Sequence, residues 1–459
     1  MIKQQGNRLA GRFSKASRMA GDVQAESLIP GSLWLDLTNR WAILVLSLGY
    51  FSAAFAMESV ASDVDNPIAF AVSGEVVVGD EDVSQGQAVL DDELPESASL
   101  KRNERLRDLL TITLGENKQE QRTGDVLLEA VDGSLLFEDE LGHLLLLKKT
   151  DVVKREEKVR VPQITAEQLE QRLKAELPAG FRILKGRHYT YCYWTDQDYA
   201  QWVSVLYERL YTGFNNYWDN RGFETEEAER PLVVLIFANR QQYDRFARLD
   251  MKAEPTGIIG YYHVLHNWVV MYDLTADGQF GNRDRDLSQV LSHPNALPMV
   301  ATIVHEATHQ LMFNNGMQQR LADIPLWVSE GLAVYFEAPD LRSKKGWKGI
   351  GQINILRYGR AKSYLRQRPV NSLTTLIQDD KRFRDPGGTL DAYAEAWALN
   401  FFLLKRFRKQ YQDYLQALSA KSPLDIAKPE ERIQLFEEKL GKSVAEIDNL
   451  FLKFLIDLR

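Results

Sequence analysis

Hydrophobic and polar positions divide this chain into stretches of different period. Residues 41–56 read WAILVLSLGYFSAAFA, a run without a charge. Residues 57–100 are acidic, small and poor in aromatics, as in VGDEDVSQGQAVLDDELPESAS. Such a segment cannot bury enough apolar surface to fold and predicts a flexible linker, with VSGEVVVG as an isolated strand. Between 101 and 160, TGDVLLEAVDGSLLFEDELGHLLLLKKTDVV holds three short apolar runs. Asp132-Gly133 and Leu141-Gly142 break them with turn signals, which predicts a meander or small barrel.

From 161 the pattern is mixed. TAEQLEQRLKAEL has helical period, and RHYTYCYWT reads as a strand with alternating faces. DYAQWVSVLYERLYTGFNNYW is a helix whose aromatics serve the core, PLVVLIFA a buried strand, and QQYDRFARL a short helix. GIIGYYHVLHNWVVMYD predicts a hairpin with NWVVMYD as its second strand. Beyond 295 the pattern is helical. LPMVATIVHEATHQLMF has Pro298 in its first turn and stops at Asn314-Asn315-Gly316. IPLWVSEGLAVYFEAP opens near Pro325 and closes at Pro339, and 391–419 and 430–458 are further amphipathic helices. The expectation is an α+β chain in four parts: an address over 1–56, a linker over 57–100, a small all-β domain over 101–160 and a mixed domain with a helical C-terminal part over 161–459.

The 459 residues carry 56 Lys and Arg against 64 Asp and Glu, a net charge of −8. That balance argues against a nucleic-acid partner, whose footprint is basic. The charge is uneven: residues 1–56 hold six basic and three acidic side chains, net +3, which leaves −11 for the rest. The run at 41–56 falls short of the roughly 20 residues of a membrane span. A basic lead, a short apolar core and Ala54-Phe55-Ala56 read as a secretory signal, cut near Met57 or after Ala61, or kept as a membrane anchor through 41–56. The other reading of that run is a buried helix. An exported protein is expected, periplasmic, secreted or anchored facing outward. The one cysteine, Cys192, permits no intramolecular disulfide and reads as a small buried hydrophobe.

The candidate chemistry is His305-Glu306-Ala307-Thr308-His309 inside the first C-terminal helix. Residues four apart share a helix face, so both imidazoles can bind one Zn²⁺. Glu306, beside the first ligand, can take the proton of a water held there. The rest of that helix is apolar, so its polar groups need partners. A catalytic zinc needs a third protein ligand. Glu330, with twenty residues between it and His309, lies in the next helix, and Gly331 beside it lets two helices approach closely.

His305-Glu306-Ala307-Thr308-His309 followed by Leu326-Trp327-Val328-Ser329-Glu330-Gly331 resembles the gluzincin zinc metallopeptidases, and secreted bacterial proteins with a peptidase-like domain. The likeness spans about 230–460 and is specific over 300–340. It implies a zincin-like catalytic domain, one Zn²⁺ on His305, His309 and Glu330, Glu306 as general base, and a polypeptide substrate. The family also supplies a Tyr or His about sixty residues after the third ligand, to stabilise an oxyanion. Tyr393 falls at that distance, with Tyr358 and Tyr364 as rivals. Where related enzymes have an orienting Asp, this chain has Val334; Glu337, two turns beyond Glu330, is expected to orient a histidine instead. The element that grips a free amino terminus in aminopeptidases is absent, which favours endopeptidase action. Such enzymes hold the peptide along a strand edge, a role NWVVMYD could fill. The alternative is a catalytically inactive zincin-like scaffold of the cell envelope that binds polypeptide. His263 and His266, at the hairpin turn, read as structural, His143, His188 and His293 as unremarkable, Trp194, Trp202 and Trp218 as core, and the basic stretch 342–345 as a solvated loop.

Overall fold

The computed structural model describes residues 104–114, 118–162, 164–255, 257–276, 296–337 and 349–458. The expected address and linker, His293, Pro339 and the basic 342–345 stretch lie outside the described residues. The fold is α+β, with an N-terminal β region, a mixed sheet flanked by helices, and a helical C-terminal part. Among the described residues no helix is long and apolar enough to cross a membrane.

The N-terminal region has five strands: β1 (Glu104–Leu114), β2 (Lys118–Glu129), β3 (Leu135–Asp139), β4 (Leu144–Leu147) and β5 (Val152–Pro162). They form one antiparallel sheet in the order β4-β3-β2-β1-β5. The apolar runs pointed to the middle strands, but β1 and β5 carry ERLRD and KREEKVR, whose charges interrupt any apolar run. Register shifts where β5 crosses β1 bend the sheet. One face closes over Leu110, Ile112, Leu135, Phe137 and Leu147. Leu136, Leu141 and Leu144 instead join the main core. This sheet is therefore packed on both sides of β3.

Next come α1 (Ala166–Glu176), β6 (Arg182–Lys185), β7 (Tyr189–Tyr193), α2 (Gln197–Asp219), β8 (Leu232–Phe237), α3 (Arg240–Asp250), β9 (Gly260–His263) and β10 (Trp268–Tyr272). Their sheet runs β6-β7-β8-β10-β9, parallel at β7-β8 and β8-β10 and antiparallel at its two outer pairs. β7 does not alternate as expected: all five of its residues are buried, because the strand lies inside the sheet and both of its faces are covered. The hairpin forms as expected, but NWVVMYD does not offer an edge. β10 is flanked by β8 and β9, and β9 is the outer strand. Trp218 is in the core, while Trp194 is 37% exposed.

The C-terminal part comprises α4 (Ala296–Asn314), α5 (Leu326–Phe336), α6 (Ile355–Tyr364), α7 (Ser372–Gln378), α8 (Lys381–Arg384), α9 (Thr389–Arg406), α10 (Arg408–Ser419), α11 (Pro429–Leu440) and α12 (Val444–Asp457). Gly316 follows α4 with φ +76°, the left-handed conformation expected beyond its end. The helices expected over 391–419 and 430–458 are each two, separated at Phe407 and at Gly441, whose φ is +66°. Gly331 does permit a close approach, but the nearest atoms a β-carbon there would meet belong to α9, not to the histidine-bearing α4. A β-carbon there would lie 2.1 Å from Asn400 Nδ2 and 2.7 Å from the Ala396 carbonyl oxygen. Asn400 Nδ2 donates to the Trp327 carbonyl at 2.9 Å and so pins α9 to α5. Tyr393, Ala396 and Asn400 lie on one stripe of α9, so this crossing sets where Tyr393 sits.

Candidate metal centre

His305 and His309 project from adjacent turns of α4, and Glu330 enters from the first half of α5. His305 Nε2 lies 3.1 Å from His309 Nε2 and 3.2 Å from Glu330 Oε2, and His309 Nε2 lies 3.5 Å from that oxygen. Ligand atoms of a tetrahedral ion, each about 2.0–2.1 Å from it, sit roughly 3.3 Å apart. The three atoms already form a triangle of that size. All three residues are buried, and together they form a group able to hold a metal ion.

The charges around the triangle favour a cation at its centre. Burial by itself would lower the His305 pKa, but hydrogen bonds to Glu330 and Glu337 outweigh it and raise the value to about 9. Burial would raise that of Glu330, yet the neighbouring His309 and the bond from His305 bring it to about 2. Burial pushes His309 down. Glu330 Oε1 is buried without a hydrogen-bond partner among the described residues. An acceptor of that kind, beside two converging imidazole nitrogens, fits a cation ligand.

Each imidazole is oriented at its other nitrogen. His305 Nδ1 is 3.1 Å from Glu337 Oε2. Glu337 is held in turn by Asn354 Nδ2, which donates to Oε1 at 2.7 Å, and Arg357 Nε lies 3.8 Å from the same oxygen. His309 Nδ1 faces Ser329 Oγ at 3.4 Å, and Ser329 reaches Gln318 Oε1 at 3.3 Å. No pattern in the sequence points to Asn354, Ser329 or Gln318 as partners. Ser329 adjoins Glu330 in sequence, but nothing local connects Asn354 with Glu337.

Glu306 sits one position beyond His305, fully buried. Its Oε2 accepts the Tyr262 backbone N–H at 2.8 Å, while Oε1 has no hydrogen-bond partner among the described residues. Burial, opposed by His305, raises its pKa to about 8. Tyr393 is brought to the same place. Burial, with the Glu330 carboxylate beside its hydroxyl, drives its pKa well above the tyrosine value, and Arg357 lies 6.0 Å from its ring. The rivals are engaged elsewhere: the Tyr358 hydroxyl donates to the Leu458 carbonyl, and the Tyr364 hydroxyl pairs with Ser372 Oγ at 3.0 Å.

Asp250, His263 and His266 form a second group whose ligand atoms converge. Its hydrogen bonds give it another role. The His266 backbone N–H donates to His263 Nδ1 at 3.1 Å, and the Tyr261 hydroxyl donates to Asp250 Oδ2 at 2.6 Å. A ring nitrogen that accepts N–H carries the lone pair, so the proton of neutral His263 is on Nε2. Burial keeps that ring neutral by lowering its pKa to about 4. The cluster closes a turn, in line with the structural role expected of these histidines. His188 pairs with Glu208 at 2.6 Å, and Cys192 is buried with its thiol pKa pushed up to about 12.

Fold and site define an α+β protein with a buried group of two histidines and one glutamate able to hold a metal ion. Residues 299–425 match a family model described as DUF1570, a protein of unknown function. The chain is similar to that family over the stretch that contains most of α4, all of α5 and Tyr393. No curated protein matches the chain.

Proposed function

We propose that the protein is a zinc-dependent peptide hydrolase of gluzincin type, acting as an endopeptidase. The observation that carries this reading is the buried triangle of His305 Nε2, His309 Nε2 and Glu330 Oε2, with Glu306 beside it, whose Oε1 has no hydrogen-bond partner among the described residues. These three residues would hold the zinc. When bound, zinc supplies a Lewis acid that polarises a carbonyl and lowers the pKa of water toward about 7.

The chain's own residues do the rest. Glu306 accepts a proton at Oε1 and returns it to the leaving amine, while the Tyr262 N–H keeps its other oxygen in place. The Tyr393 hydroxyl stays protonated at any working pH and donates to the oxygen on which negative charge develops. Glu337 and Ser329 hold the two imidazoles in orientation. The signal-like run at 41–56 adds that the protein acts outside the cytoplasm.

The test is an unbiased peptide-library digest by wild type and by Glu306→Gln, with metal content measured on both. We expect internal cleavage by wild type and a loss of about 10²-fold or more in the variant with zinc retained, as for removal of a general base. A variant equal to wild type on every peptide would refute hydrolysis by this site and leave a polypeptide-binding scaffold.

A further inference from the structure

The N-terminal sheet has no part in the chemistry above, yet it touches the hairpin that does. Its β3–β4 turn docks on the β9–β10 turn: the Leu144 N–H donates to the Leu265 carbonyl at 2.8 Å, and the His143 ring packs edge-on to Trp268 at 5.1 Å. Arg320, 5% exposed, lies between the two turns. Its Nη1 donates to the carbonyls of Gly142 at 2.8 Å and Val264 at 3.1 Å, and its Nη2 pairs with Glu138 Oε1 at 2.9 Å. Arg230 pairs with the same Glu138 oxygen. One guanidinium therefore ties a strand of the N-terminal sheet to the turn that follows β9.

That turn is keyed into α4. Asn267, at φ +60°, exchanges two amide hydrogen bonds with Asn314, at 2.8 and 2.7 Å. Gln310 Nε2 donates to the Asn267 carbonyl at 2.8 Å and to the Val233 carbonyl at 3.1 Å. The Tyr262 hydroxyl donates to Asn267 Oδ1 at 2.8 Å. Glu306, Gln310 and Asn314 are spaced by four, so one stripe of α4 faces the hairpin while His305 and His309 face α5. The stripe bonds to the turn at Gln310 and Asn314 and to the Tyr262 N–H at Glu306.

We propose that the N-terminal sheet is a brace for this site and that Arg320 is a positioning residue: by fixing the 264–267 turn it sets the register of β9 against α4 and holds Tyr262 N–H on Glu306. The catalytic half of this inference rests on the hydrolase reading; the brace itself does not. Lysine cannot replace this arginine, because a single ammonium does not span two carbonyls and a carboxylate with the geometry of the planar fork.

The test uses the full zinc-loaded chain with Arg320→Lys and with the double variant Arg320→Met/Glu138→Gln, which removes the Arg320–Glu138 pair and leaves Arg230 with Glu229, 3.6 Å away. Residue-resolved amide hydrogen exchange reads the Tyr262 N–H, and α12 (Val444–Asp457), at the C-terminal end of the chain, serves as control. We expect exchange at Tyr262 to quicken about tenfold or more in the double variant and less in Arg320→Lys, with α12 unchanged. On a peptide substrate, kcat falls about tenfold or more, KM holds within about twofold and zinc stays stoichiometric. Wild-type exchange at Tyr262 in the double variant overturns the brace. Faster exchange with unchanged kcat overturns the positioning role. If wild type cleaves no peptide, the hydrolase reading fails and the exchange measurement alone decides the brace.

Discussion

His305 is engaged at both ring nitrogens, by Glu330 on the side of the triangle and by Glu337 on the other. A carboxylate behind a ligating imidazole fixes its orientation and makes it a better donor. Glu337→Gln keeps the volume and removes the charge, so zinc affinity should fall by about 10–100-fold in competition with a chelator, while the fold is kept. Unchanged affinity would mean that Glu337 only fills space. At this scale the sequence was informative wherever partners are close along the chain. His305, Glu306 and His309 share one helix, and Glu337 follows Glu330 by two turns. Asn354 and Tyr262 were not legible, because each acts through a backbone or side-chain contact across a long separation, which no local pattern encodes.

Among elements, the contact that matters most for the site is α5 against α9. It puts Glu330 and Tyr393 beside each other and depends on the missing side chain of Gly331. Gly331→Ala forces a methyl group against Asn400 and the Ala396 carbonyl. It should destabilise the protein by about 1–3 kcal/mol through overpacking, seen as a lower denaturation midpoint. A midpoint equal to wild type would show that the two helices have room to part. Helical period announced α4, α5 and α9 because their apolar faces are broad. The strands β1 and β5 are not legible because charged residues break their apolar pattern, and their pairing depends on partners distant in sequence. The edge role of β9 could not be read either: two adjacent apolar strands look alike until sheet order is known.

For the whole molecule, the join between the N-terminal sheet and the remainder is electrostatic at its centre. Burial alone would raise the Glu138 pKa, but Arg320 and Arg230 outweigh it and hold the carboxyl below its usual value. A folded pKa below the unfolded one stabilises the protein fully above the unfolded value of about 4.3. That contribution is lost as pH falls from there through the folded pKa. Acid unfolding should therefore be less steep in Glu138→Gln than in wild type over that window, measured as denaturation midpoint against pH. Parallel profiles would remove Glu138 from the join. The overall division into a β-rich first part and a helical last part was legible from the change of period along the chain. That the first part leans on the site was not, because Glu138, Arg230 and Arg320 look like ordinary surface charges in sequence.

The zinc ion proposed on His305, His309 and Glu330 can be counted by elemental mass spectrometry of the purified full chain after exhaustive dialysis, for wild type and for a His309→Ala/Glu330→Gln variant shown to be folded. One zinc per wild-type chain and none in the variant is expected. Wild type without stoichiometric metal, or a variant that keeps its zinc, would rule this site out.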